Sequence, residues 1–132
     1  MSADQATIVI ADDDPLVRSV CEAVLARQGY GVVLAEDGAL ALALVEEREV
    51  DFVLLDMQMP GQDGLKTLVE LKRRFPLLRV FAMSGGTAHG KGDSLSLAAE
   101  AGADAILRKP FPPQALIDLI AERAAEARQP RS

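Results

Sequence analysis

Phe52-Val53-Leu54-Leu55-Asp56-Met57-Gln58-Met59-Pro60-Gly61-Gln62-Asp63-Gly64 sets a wholly apolar run against an abrupt carboxylate. A short apolar run of this kind is the pattern of a parallel strand covered on both faces. In open α/β sheets, ligands sit in the crevice beyond the carboxyl ends of such strands. Asp56 is therefore expected at the mouth of a site. Pro60, Gly61 and Gly64 interrupt both strand and helix, so the acid is held by a tight loop before a helix opens near Leu65.

Outward from this stretch, short apolar runs alternate with amphipathic ones, which predicts a doubly wound α/β fold: five parallel strands and five helices. Thr7-Ile8-Val9-Ile10-Ala11 reads as the first strand. It ends in Asp12-Asp13-Asp14, and Pro15 then suits the first turn of a helix capped by Asp14. Leu16, Val17, Val20, Cys21, Val24 and Leu25 recur at helical spacing, so Cys21 reads as a small core residue, and Gly29 closes the helix. Residues 31–35 form the second strand, and Asp37 caps a helix with Leu40, Leu44 and Val45 on its inner stripe. Leu65, Leu68, Val69 and Leu71 mark the third helix, residues 78–83 the fourth strand, and Ser84-Gly85-Gly86 follows it. Residues 85–93 are Gly-rich and without period, which predicts a loop before a weak helix over residues 94–101. Ala105-Ile106-Leu107 is a short last strand, ending in Arg108-Lys109-Pro110-Phe111. Pro112 and Pro113 lead into a helix carrying Leu116, Ile117, Leu119 and Ile120.

The 132 residues suit one domain, with a core from about residue 6 to 125, and the chain stops soon after the fifth helix, so no output domain is expected. A formal charge of −6 argues against direct nucleic acid binding through phosphate neutralisation. One cysteine forms no internal disulfide. The first seven residues make no charged-then-apolar leader, and no apolar run is long enough to span a bilayer, so the expected location is the cytoplasm, without membrane insertion.

Polar groups stand at the carboxyl ends of four strands: Asp12 and Asp13, Asp56, Ser84, and Lys109. Each taken singly is an ordinary cap or turn residue; together they converge if the strand order is 2-1-3-4-5, which brings the ends of strands one and three side by side. Three clustered carboxylates repel one another, and a hard divalent cation bound through oxygen resolves this, with Mg2+ the best match. Asp56 is then a carboxylate nucleophile toward a phosphoryl group. Lys109 supplies a positive charge and Ser84 a hydroxyl donor to the same oxygens. Asp14 reads as a helix cap only. His89, alone in a glycine loop, reads as a solvated residue, Met57 and Met59 as loop packing, and Lys72-Arg73-Arg74 as a solvated helix end.

These residues together resemble the receiver domain of two-component response regulators over essentially the whole chain: Asp12-Asp13, Asp56 in Asp56-Met57-Gln58-Met59-Pro60, Ser84, and Lys109 in Lys109-Pro110-Phe111. The resemblance implies the flavodoxin-like order 2-1-3-4-5 and a cis Lys109-Pro110 bond. It also implies metal ligation by Asp13, Asp56 and the main-chain carbonyl of Gln58, with Asp12 acting partly through water. It further implies a phosphorelay switch: a sensor histidine kinase or histidine phosphotransfer protein donates to Asp56, the acyl phosphate later hydrolyses, and output runs through an unknown downstream protein or as a phosphate sink. The chain departs from the family pattern at Ile106, where many receivers carry an aromatic ring, and in its Gly-rich loop, to which any switching motion is therefore assigned. A receiver-shaped module working unphosphorylated conflicts with the intact acidic, hydroxyl and lysine set. A haloacid-dehalogenase-type phosphatase would want a second aspartate where Gln58 stands.

Overall fold

The computed structural model describes residues 6–58, 64–84 and 98–128. Along each strand, side chains alternate between the two faces of the sheet, and here both faces are buried, so β-branched and large aliphatic residues fill nearly every strand position. The strands are β1 (Thr7–Ala11), β2 (Gly31–Ala35), β3 (Phe52–Asp56), β4 (Arg79–Ser84) and β5 (Ala105–Arg108). They are parallel, in the order β2-β1-β3-β4-β5. The helices are α1 (Pro15–Arg27), α2 (Gly38–Glu47), α3 (Gly64–Arg74), α4, described over residues 98–100, and α5 (Pro113–Arg128).

Alternation sorts the core into two layers. Ile8, Ile10, Phe52, Leu54, Phe81, Met83 and Leu107 face α1 and α5, meeting Cys21, Leu25, Leu116 and Ile120. Val9, Ala11, Val53, Leu55, Val80 and Ala82 face α2, α3 and α4, meeting Ala41, Val45, Leu68, Leu71 and Ala98. The Phe52 and Phe81 rings stack on neighbouring strands with centroids 5.5 Å apart. Each fully buried aliphatic side chain contributes about 1.5–3 kcal/mol relative to exposure, so these two layers hold the strand ends in fixed register.

The expected caps are present: Asp14 Oδ1 accepts the Leu16 amide and Asp37 Oδ1 accepts the Leu40 amide. Gly29, at φ 95°, follows α1 in the left-handed conformation that glycine tolerates. Some stripe residues point elsewhere than expected. Leu16, Val20, Leu40 and Val69 are exposed, because each helix covers the sheet with a narrower arc than its apolar spacing offers, through Cys21 and Leu25, Ala41 and Val45, or Leu68 and Leu71.

The basic end of α3 also differs from the solvated helix end expected. Lys72 Nζ lies 2.9 Å from Asp104 Oδ2 and 2.7 Å from the Leu78 carbonyl, and Asp104 Oδ2 accepts the Val80 amide at 2.8 Å. The lysine crosses to the amino ends of β4 and β5, where carbonyls beyond the ladder need donors. Arg74 pairs with Glu46 and lies over the Phe75 ring, leaving Arg73 the most exposed of the three. Ile106 lies outward on the edge strand β5, 37% exposed. Met59, Pro60, Gly61, Gln62 and Asp63, the Gly-rich loop with His89, and the expected start of the helix at residues 94–97 lie outside the described residues. Among the described residues, no helix is long and apolar enough to cross a membrane.

Candidate functional site

Register brings the site together. Ala11 pairs with Leu55, so the next residues on the two strands, Asp12 and Asp56, stand side by side at the carboxyl edge of the sheet. Asp56 pairs with Met83, which puts Ser84 one step further out on β4, and Ser84 in turn pairs with Arg108. The amide of Lys109 donates to the Ser84 carbonyl at 2.7 Å, and the Lys109–Pro110 peptide is cis, as the family resemblance implies. Lys109 Nζ then reaches across the strand ends to Asp12 Oδ2 at 2.8 Å and Asp56 Oδ2 at 3.6 Å. Asp12, Asp56 and Ser84 are buried, whereas Asp13 stands at the exposed rim.

Asp12, Asp13 and Asp56 each bring a carboxylate oxygen to a common place, all within 4.8 Å of one another. Burial drives the pKa of Asp56 upward; the Gln58 amide opposes this by donating to Oδ1 at 3.0 Å, and the neighbouring Asp12 carboxylate adds to the rise against the pull of Lys109. Burial would lower the pKa of Lys109, yet its hydrogen bond to Asp12 and the charge of Asp56 outweigh it, so the ammonium is held charged above its usual range. Adjacent buried carboxylates held in this way call for positive charge between them. Hard oxygen donors at this separation suit a hard divalent cation, so the donor set fits a metal.

The start of α3 lies close against Met57. A Cβ on Gly64 would lie 2.7 Å from the Met57 Cα and 2.9 Å from its carbonyl oxygen, so only glycine lets the start of α3 pack on the residue after Asp56. Met57 is itself buried and donates its amide to the Met83 carbonyl at 2.9 Å. The sequence marked Gly64 only as a turn residue; the close packing has no signature in a single chain. Arg18 carries no functional signal in the sequence. Its Nη1 donates to the Asp12 carbonyl at 2.7 Å, joining residues six apart across the strand-to-helix turn.

Beside the carboxylates, Leu16, Val17, Val20 and Cys21 of α1 and Lys109, Pro110 and Phe111 line an apolar cleft of about 470 Å³. Leu16 is 69% exposed and Val20 48%. Burial, reinforced by Asp12, pushes the Cys21 thiol up to about 11, so it is an unreactive wall of that cleft.

The sequence profile of the response regulator receiver domain matches residues 8–121. The chain is 38% identical over 127 residues to the DNA-binding transcriptional regulator NtrC of Escherichia coli (strain K12), covering 93% of this chain and 26% of NtrC. It is 36% identical over 132 residues to Protein PetR of Rhodobacter capsulatus, covering 96% of this chain and 53% of PetR. It thus spans about a quarter of the one relative and half of the other. Among solved structures, a CheY-like response regulator receiver domain protein from Methanospirillum hungatei JF-1 superposes with a TM-score of 0.84 at 26% identity, covering 92% of this chain and 95% of that one. The receiver domain of NtrX from Brucella abortus gives 0.80 at 36% identity, covering 90% and 98%.

Proposed function

Since the chain belongs to the response regulator receiver domain family of two-component signalling, we propose that Asp56 is its phosphoacceptor, working within the single domain that the chain forms. The observation that carries this is the meeting of Asp12, Asp13, Asp56 and Lys109 at the carboxyl ends of β1, β3 and β5. An Asp56 oxygen attacks the phosphorus of a phosphohistidine. A P–O bond forms as the N–P bond breaks, and the departing imidazole takes up a proton from water. Water later attacks the phosphorus of the acyl phosphate, releasing phosphate and restoring the carboxylate. The domain so catalyses only its own phosphorylation and dephosphorylation.

Mg2+ is the metal proposed, held by Asp13, Asp56 and the Gln58 carbonyl with Asp12 in support; when bound, it neutralises charge on the phosphoryl oxygens. Lys109 adds a fixed positive charge and Ser84 a hydroxyl donor to those oxygens. Donors of this kind, aimed where charge develops, typically lower the barrier, and removing one costs about 2.7–4 kcal/mol.

The donor proposed is a sensor histidine kinase or histidine phosphotransfer protein. The cleft of Leu16, Val20 and Pro110 supports this, because a partner seated there would stand beside Lys109 and the carboxylates. Output passes to another protein or drains phosphate from the kinase, and the acidic charge of −6 suits a protein partner in the cytoplasm better than nucleic acid or a membrane. Incubation with acetyl phosphate tests the reading. The expected product is a hydroxylamine-labile acyl phosphate whose formation stops on chelating divalent metal; a hydroxylamine-stable phosphate, or label indifferent to chelation, would overturn it.

A further inference from the structure

Asp12 is held at every polar end. Its amide donates to the Ala35 carbonyl at 3.1 Å, Oδ1 accepts the Asp14 amide at 2.9 Å, and Oδ2 accepts Lys109 Nζ at 2.8 Å. The fourth end, its carbonyl oxygen, accepts Arg18 Nη1 at 2.7 Å. That carbonyl lies past the last ladder pair of β1, where the chain turns into α1, so it has lost the partner a longer strand would give it. A helical side chain leans toward its own amino terminus, and this brings Arg18, in the first turn of α1, back over the turn. The bond is short and charge-assisted, and the side chain is half-buried.

We propose that Arg18 is a positioning residue for the metal site: by gripping the Asp12 carbonyl, it fixes the Asp12–Asp13 peptide plane and so the direction in which Asp13 projects. Asp13 is the one exposed carboxylate of the three, and it is set between two held peptides: the Asp12–Asp13 peptide, gripped by Arg18, and the Asp13–Asp14 peptide, whose amide donates to Asp12 Oδ1. Freed from Arg18, the Asp12–Asp13 plane can rotate and carry the Asp13 carboxylate away from the other two. The role of Arg18 rests on the reading of Asp12, Asp13 and Asp56 as a metal site.

Two effects of Arg18 have opposite signs, which makes the test sharp. Its positive charge repels a divalent cation, so if charge alone mattered, removing it would tighten metal binding. If positioning dominates, removing it weakens binding, as loss of a group that orients a ligand commonly does by about tenfold or more. The measurement is Mn2+ affinity followed by its paramagnetic resonance signal, with Mg2+ displacement, in wild type, Arg18→Met, Arg18→Lys and Asp13→Asn, alongside melting temperature in chelator. The expected result is binding about tenfold weaker in Arg18→Met, substantial recovery in Arg18→Lys, which restores a donor, and an unchanged melt without metal in Arg18→Lys. Equal or tighter binding in Arg18→Met, or in Arg18→Ala, which likewise lacks a donor, should the first variant not fold, overturns the positioning role while leaving the metal site intact. Binding that survives Asp13→Asn unaltered removes the metal site itself, and the role of Arg18 with it.

Discussion

Lys109 Nζ sits 2.8 Å from Oδ2 of Asp12, a carboxylate with no exposed surface, and so stands as the cation of the acidic cluster among the described residues. Removing one partner of a fully buried pair costs about 3–5 kcal/mol; Lys109 is 21% exposed, so Lys109→Met is expected to lose about 2–3 kcal/mol at neutral pH without metal. Millimolar Mg2+ should then stabilise this variant more than wild type, because the ion replaces the missing charge and no longer meets the ammonium. Chemical denaturation in chelator and in Mg2+ measures both. An equal Mg2+ increment in the two proteins would separate Lys109 from the metal site.

Asp56 gives a pH dependence of definite sign. Its folded pKa is raised above the ordinary 3.8, chiefly by burial, so the folded state binds the proton more tightly than the unfolded chain. The stability this contributes is fully present below the ordinary value and is lost as pH rises through the folded pKa. At pH 7 without metal the buried carboxyl is therefore a net cost, and Asp56→Asn should melt higher than wild type. The difference should shrink as pH falls toward 4 and below. A variant that melts lower than wild type at pH 7 would mean that Lys109 more than compensates the buried charge.

Gly64→Ala should disturb the loop after Asp56. The added carbon would meet backbone atoms of Met57 at 2.7 and 2.9 Å, and neither can move aside as a side-chain end could. Overpacking of this kind costs about 1–3 kcal/mol, and because Met57 adjoins Asp56 the rate of phosphorylation should fall too. Both urea denaturation and labelling rate at wild-type values would show that α3 shifts freely.

The lower edge of the sheet should affect stability without affecting chemistry. Lys72 joins α3 to Asp104 and the Leu78 carbonyl at the amino ends of β4 and β5, the edge opposite the carboxylates. Hydrogen bonds to charged groups contribute about 1.5–3 kcal/mol, so Lys72→Met should lose roughly that much in denaturation while its labelling rate holds. Arg73→Met, whose pair with Glu70 is mostly exposed, should change stability by less than about 1 kcal/mol. Equal losses in both variants would contradict the distinction.

How far the sequence reveals this depends on whether the information is local. Apolar runs and capping residues specify β3, α1 and α2 directly: Asp14 and Asp37 cap as their positions imply. The convergence of Asp12, Asp56 and Lys109 needed only strand ends and one strand order. Contacts made across space left no local trace. Lys72 looks solvated until Asp104 arrives 32 residues later, Arg18 has no partner until the chain turns, and Leu16 and Val20 have helical spacing yet are exposed, lining a cleft with Lys109, Pro110 and Phe111.

One carboxylate, Asp56, is expected to receive the phosphoryl group. Reduction of the acyl phosphate with borohydride converts the modified aspartate to homoserine, which peptide sequencing by mass spectrometry locates. The tryptic peptide from Glu49 to Lys66 carries Asp51, Asp56 and Asp63 as rivals, and Asp12 and Asp13 lie in another. Homoserine at position 56 alone, and none anywhere in Asp56→Ala, is the predicted result. Homoserine at position 12 or 13 in the wild type, or a yield in Asp56→Ala equal to the wild type's, would contradict it.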